Sequence, residues 1–254
     1  MRFTHSFLAL SFCVLTTLGL QSPVQAQNKE VKISSFAPTK DTIAQVKAFM
    51  KAIGKDLSDK EDFGEDQHNR INLNGQTVAV LALTLGMHDE KNDVKSNAGE
   101  VFDAAIELAD NAESFDDAMA SFQKLEKALE VKDLSKRKLS WDESVDIAAL
   151  MKQVPIVNKS VRRGVDDERR FERTAKKTAQ KVVTLAAIAH VSMMNTDYCS
   201  DEDDEKEWKK ICADMRDACT DVYKALMAKD QKKAQAGNDR VVETCDACHH
   251  KFRD

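Results

Sequence analysis

The chain has 254 residues, of which 42% are hydrophobic, 32% charged and only 6% aromatic, with 8 Gly and 3 Pro. Strands favour β-branched and aromatic residues, and turns need Gly and Pro, so this balance predicts an all-α protein and argues against a sheet-based fold. A formal net charge of −5 disfavours nucleic acid and anionic membrane as partners and favours proteins with basic surfaces.

In chain order, the first element is a targeting segment. Arg2 and His5 precede an apolar stretch over 6–20, and Val24-Gln25-Ala26 supplies a small-residue cleavage signal. The stretch is shorter than the roughly 20 residues a membrane span requires. Phe12 before Cys13 is too bulky for lipoprotein processing. The expectation is a signal peptide over 1–26 and a chain that is periplasmic or otherwise exported. No later stretch is apolar for long enough to cross a bilayer, so once processed it does not span a membrane. Losing Arg2 makes the mature chain slightly more acidic.

Amphipathic spacing then predicts helices over about 42–57, 65–87, 93–112 and 115–130, followed by a polar, basic linker over 131–140. A second set follows. Ile147, Leu150, Met151 and Val154 stand at i, i+3, i+4 and i+7 in a helix over about 142–161, with Pro155 kinking it or shifting its end. A helix over 167–195 carries Val182, Leu185, Ala186, Ala189 and Met193. An acidic run over 200–205 leads into a helix whose seam is Trp208, Ile211, Cys212, Met215, Cys219, Val222, Tyr223 and Leu226. Gly237-Asn238 reads as an interruption or a start, and the last helix covers about 239–252.

The two sets share a plan. Ala48-Phe49-Met50-Lys51 recurs as Ala149-Leu150-Met151-Lys152, Gln76-Thr77-Val78 as Gln180-Lys181-Val182, and Asp103-Ala104 as Asp217-Ala218. Short connections between amphipathic helices give antiparallel neighbours, so the expectation is a duplication that forms two tandem four-helix bundles.

The last helix holds the chemistry. Cys245-Asp246-Ala247-Cys248-His249 is a C-x-x-C-H sequence, the attachment motif of c-type haem: two thiols add to the two porphyrin vinyl groups, and the following His becomes the proximal iron ligand. A thioredoxin-like pair would need a βαβ setting. A zinc site from Cys245, Cys248, His249 and His250 would crowd four ligands into six consecutive residues. The first set has no Cys, and at the corresponding place it reads Lys127-Ala128-Leu129-Glu130, so it cannot attach haem covalently. The domains are therefore 1–26, a haem-free bundle over 27–134, and a haem-carrying bundle over 135–254. Of the other mature cysteines, Cys212 and Cys219 are too far apart along one helix to be bridged. Cys199 either bridges, to Cys212 before any other, or all three are free thiols.

Cys245-x-x-Cys248-His249-x-x-Phe252-Arg253 at the end of a fourth helix, behind three amphipathic helices and a leader, resembles the class II cytochromes c: the cytochrome c prime family and its low-spin, Met-ligated relatives. The resemblance covers about 142–254. It implies one haem c within the second bundle, with Phe252 and Arg253 beside it and His249 on the iron. The low-spin relatives use a Met on the first helix before a Lys, which implies Met151 as sixth ligand; as an alternative Met151 is a core residue. In the high-spin relatives a Leu covers an open face, a role for Leu150. His190 reads as a packed rather than a ligating histidine. The functional expectation is a one-electron carrier rather than an enzyme, with no catalytic residues and with redox proteins as partners. The alternatives are a five-coordinate protein that binds NO or CO, and an interaction or sensor module with haem as passenger. Pairing through the first two helices implies either a homodimer or, through the duplication, an internal pseudo-dimer.

Overall fold

The computed structural model describes residues 31–131 and 137–253; the expected signal peptide and part of the linker lie outside the described residues. After a short 3₁₀ turn, Ile33–Ser35, come eight helices: α1 Thr39–Asp56, α2 Glu65–Gly86, α3 Ala98–Asp110, α4 Phe115–Glu130, α5 Ile147–Asp166, α6 Glu168–Ser192, α7 Glu202–Met227 and α8 Gln231–Phe252. The protein is all-α, with no strand among the described residues.

All four helices of the second set begin on an aspartate whose carboxylate accepts backbone N–H groups of the first turn. Asp146 takes Ala149 N at 3.0 Å, Asp167 takes Arg170 N at 2.7 Å, Asp201 takes Asp203 N and Asp204 N at 2.9 Å, and Asp230 takes Lys233 N at 3.1 Å. Such a cap is worth about 1 kcal/mol. Each also fixes where its helix starts, which periodicity alone does not.

Three expected boundaries are corrected. Helix α5 begins at Ile147 rather than near 142, because Asp146 is the cap. It continues past Pro155 to Asp166, so the proline does not end it. The proline takes one rung from the helix, since it has no N–H to offer the carbonyl of Met151. Helix α8 starts eight residues earlier than expected, and Gly237-Asn238 lies inside it, buried. There the glycine serves packing: a Cβ on Gly237 would stand 2.8 Å from Val222 Cγ2. Helix α3 is shorter than expected, since Asn92 and Asn97 hold a turn before it; Asn92 donates to Leu85 O at 2.9 Å and accepts from Val94 N at 3.1 Å.

Within each set consecutive helices are neighbours, and α5 packs on α8. Helix α1 meets α4 where Gly54 faces Phe122. The two sets pack face to face through α1 on α6, α2 on α5, and α2 on α6. Helices α2 and α6 are accordingly buried on all sides over Asn74–Leu85 and Val182–Ala189. Polar side chains key this face. Gln180 donates to Asp41 at 3.0 Å, Tyr223 OH donates to Asp41 at 2.7 Å, Thr184 donates to Gln45 at 3.3 Å, and Gln153 donates to Asn74 at 3.4 Å. Gln76 accepts the N–H of Asp146 at 3.1 Å. The matched glutamines of the repeat, Gln76 and Gln180, thus each bond the aspartate at the start of the other set's first helix.

Candidate functional site

The contacts between α7 and α8 fix an antiparallel register. Val222 lies against Gly237, Asp221 pairs with Arg240 at 2.8 Å, Trp208 stands edge-on to Phe252 at 5.2 Å, and Lys251 pairs with Asp204 at 2.8 Å and Glu207 at 2.5 Å. Each step forward on α7 is a step back on α8. Carried through, this register sets Cys212 opposite Cys248, Met215 opposite Cys245, and Cys219 opposite Val241.

Cys245 and Cys248 are half-buried, one turn apart on the inward face of α8, and all five described cysteines are free thiols. Burial, then Cys248 and Asp246, push Cys245 up to about 11; burial and then Cys199 push Cys248 up. Burial, then Cys248 and Cys199, push Cys212 up to about 12. Cys219 is fully buried and raised by burial and then Cys245. Cys199 is raised by burial and then Asp204 and Glu205. Neutral, unbridged thiols therefore gather along one side of α8. No bridge joins Cys199 to Cys212, so of the two readings left open for these residues the free-thiol one holds.

Helix α8 also faces α5. Gln231 and Gln235 both donate to Val165 O, at 2.7 and 3.2 Å, so the start of α8 lies beside the end of α5. Counting about 21 Å back along α5 from Val165 reaches Met151, and about 21 Å forward along α8 from Gln235 reaches His249. The two residues occupy the same level at the same end of the bundle. Met151 is half-buried against the core, whereas Leu150 beside it is fully buried. The carbonyl of Met151 is the one that Pro155 leaves without its helical donor.

Phe252 packs on Trp208, whose indole N–H donates to Ser192 O at 2.7 Å and whose ring stacks on Tyr198 at 5.9 Å. Arg253 is exposed and caps α8, its N–H bonded to His249 O at 3.3 Å. His190 is a packed histidine. Its ring lies edge-on to Trp141 at 4.5 Å and against Phe36 at 4.7 Å, with Nδ1 3.4 Å from Arg216 Nη1. Burial and then the Arg216 charge push it down to about 4. His88 is wholly buried, held by Ala37 O at 3.0 Å and the N–H of Glu90 at 2.9 Å.

Sequence reading did not find the neighbours of the motif on α7, or the role of Tyr198 and Trp208. The signal was there in the antiparallel order and the heptad spacing of Trp208, Cys212 and Cys219, but it becomes readable only with the register fixed.

Among the described residues no group of three or more His, Cys, Asp or Glu is disposed to hold a metal ion by itself, and no helix is long and apolar enough to cross a membrane. Comparison with protein-family models, with curated proteins and with solved structures returns no match.

Proposed function

We propose that the chain is an exported, monohaem c-type cytochrome of class II type that carries single electrons between redox proteins. The observation that carries this reading is the end of α8: two unbridged thiols one turn apart on the inward face, His249 next to them, and Met151 level with that histidine on α5. The residues present suit the group. Asn158 on α5 and Asn238 on α8 each leave Oδ1 buried without a donor. Joined through two thioethers, haem c supplies the one-electron iron couple.

The chain's own residues do the rest. Cys245 and Cys248 would bond the group covalently, His249 and Met151 would bind its iron, and Phe252 would exclude water beside Trp208. Arg253 would meet an acidic ring substituent. A soft thioether raises a reduction potential, and an apolar shell holds it there. The two sets of helices are read as duplicated four-helix bundles over 27–134 and 135–254. The reciprocal bonds of Gln76 and Gln180 support an internal pseudo-dimer in which the haem-free bundle takes the place of a second copy.

The experiment is the exported chain, made with a haem maturation system, analysed by intact mass and pyridine haemochrome spectrum. One haem per chain and narrow reduced bands that ignore CO are expected. A colourless chain with the bare processed mass ends the proposal.

One observation favours a second reading, a five-coordinate protein that binds NO or CO: Leu150 is fully buried while Met151 is only half-buried. If Leu150 covers the iron, Met151→Ala changes neither spectrum nor potential and CO binds the parent chain. If Met151 is the ligand, the variant becomes high-spin.

A further inference from the structure

We propose that the end of the second set farthest from the C-x-x-C-H motif is a docking surface for an anionic phospholipid membrane. The inference does not rest on the haem reading.

Two turns form this end. Helices α5 and α6 meet at Asp167, and α7 passes to α8 over residues 228–230. Gln231 and Gln235 both donate to Val165 O, so the two turns lie side by side. Helix α1 bonds α6 at Gln180, through Asp41 in its own first turn. The part of α6 before Gln180 is about 18 Å long, so the α5–α6 turn projects past the start of α1.

Positive charge gathers here. Residues 159–181 hold nine Lys and Arg against four carboxylates, and 224–233 hold four Lys against one Asp. On α6, Arg169, Arg170, Arg173, Lys176 and Lys177 are all exposed. At about 100° per residue they fall within an arc of about 120°. Phe171, Ala175, Thr178 and Ala179 fill the other side and are buried. Arg162 and Lys233 pair with Asp166 and Asp230. The five cations on α6, and Lys229 and Lys232 beside them, make no ion pair among the described residues. Lys229 has φ 55°, the one positive φ among the described residues. Glycine is usual at such a helix end, so a lysine stands there at a conformational cost and sets its charge on the turn. Met227, two residues before it, is 48% exposed. Cations around an exposed apolar side chain suit a lipid surface, where the cations meet phosphates and the apolar group meets the acyl boundary.

The formal net charge of −5, taken alone, disfavours such a surface. Its distribution decides otherwise. The acidic run over 201–207 lies at the start of α7, roughly 30 Å or more along that helix from Met227. Charges are screened over about 8 Å at physiological salt. A membrane at the basic end therefore feels the cations and little of the acidic run. Each Lys or Arg held near an anionic surface strengthens binding about fivefold. The motif, about 20 Å along α8 from Gln231, then stands clear of the lipid.

The test is sedimentation of the exported, processed chain with vesicles of phosphatidylglycerol and phosphatidylcholine. Binding to these, none to phosphatidylcholine alone, and a steep loss with added salt are expected. Arg169→Gln, Arg170→Gln and Arg173→Gln together should weaken binding about a hundredfold, whereas Lys206→Gln with Lys210→Gln, at the other end, should leave it unchanged. Lys229→Gly should weaken binding about fivefold while raising the urea midpoint, which separates lost binding from lost fold. Met227→Ser should weaken binding to vesicles several-fold but not binding to heparin. No sedimentation with the mixed vesicles, or equal binding to phosphatidylcholine alone, overturns the proposal. So does full binding by the triple variant. Heparin binding without vesicle binding assigns this end to another polyanion, and self-association that the triple variant abolishes, without vesicle binding, assigns it to a second copy; either result overturns the lipid surface.

Discussion

Helices α1–α4 and α5–α8 follow one plan and differ in their far ends. Helix α3 has 13 residues and α7 has 26; α4 has 16 and α8 has 22. Aligned from their first residues, α4 stops level with Asp246, so Cys248, His249 and Phe252 stand on a final stretch that α4 lacks. The first two turns of α7, which receive that stretch through Asp204, Glu207 and Trp208, are equally without counterpart in α3. What the two sets share is the inner face: α2 and α6 are buried all round, and Gln76 and Gln180 reach across in the same manner. The shared part is the scaffold, and the unshared part carries the candidate site.

The largest effect expected from this comparison is all-or-none. Replacing Cys245 and Cys248 together by Ser removes covalent haem entirely, seen as loss of the haem mass and of colour in a denaturing gel. Both side chains are half-exposed, so folding should survive, with an unchanged helical circular dichroism signal. Retained covalent haem would separate the site from α8.

Acid reaches the junction between the sets next. His190 on α6 packs on Phe36 from the first set and on Trp141, and its pKa is depressed from 6.5 to about 4. Below 6.5 the unfolded chain takes up a proton that the folded chain refuses, so stability falls with pH through that window and levels off near 4. A depression of this size corresponds to roughly 3 kcal/mol. His190→Gln should narrow the difference in urea midpoint between pH 7 and pH 4.5, and an equal pH dependence in the two chains would show that His190 is not the sensor.

The carboxylate of Asp41, reached by Gln180 and Tyr223 from the second set, tests whether the two sets unfold as one. Asp41→Ala leaves both donors unpaired in a buried place, at a cost of about 1–3 kcal/mol. A single unfolding transition shifted as a whole, by fluorescence of Trp141 and Trp208 and by circular dichroism alike, is expected. A split into two transitions would mean that the face is a weak contact between independent halves.

The eight helices were legible from spacing, and the candidate site was legible because Cys245, Cys248 and His249 are close enough in sequence to need no fold. What stayed hidden depends on long-range packing. Gly237-Asn238 looks like a break until Val222 is found against it. Pro155 looks like an end until its place inside a well-packed helix is seen, where one lost hydrogen bond is tolerated. Whether Leu150 or Met151 turns inward depends on a rotation of α5 that the start at Asp146 sets.

The smallest effect separates two helix contacts, α1 on α4 in the first set and α5 on α6 in the second. In the first, a Cβ added at Gly54 would stand 3.4 Å from the ring of Phe122, an ordinary contact. In the second, a Cβ at Gly164 would stand 2.8 Å from Thr178 Cγ2 and closer still to its hydroxyl. Alanine is favoured over glycine inside a helix by about 1 kcal/mol, and overpacking costs about 1–3 kcal/mol. Gly54→Ala should therefore be neutral or stabilising by up to about 1 kcal/mol, and Gly164→Ala destabilising by about 1 kcal/mol, because the clash there exceeds the gain in helix propensity. Measured as urea midpoints, opposite signs confirm that α5 and α6 approach more tightly than α1 and α4. The same sign in both would mean that Thr178 swings aside, and the double variant Gly164→Ala with Thr178→Ser, which removes the nearest methyl, would then show no recovery.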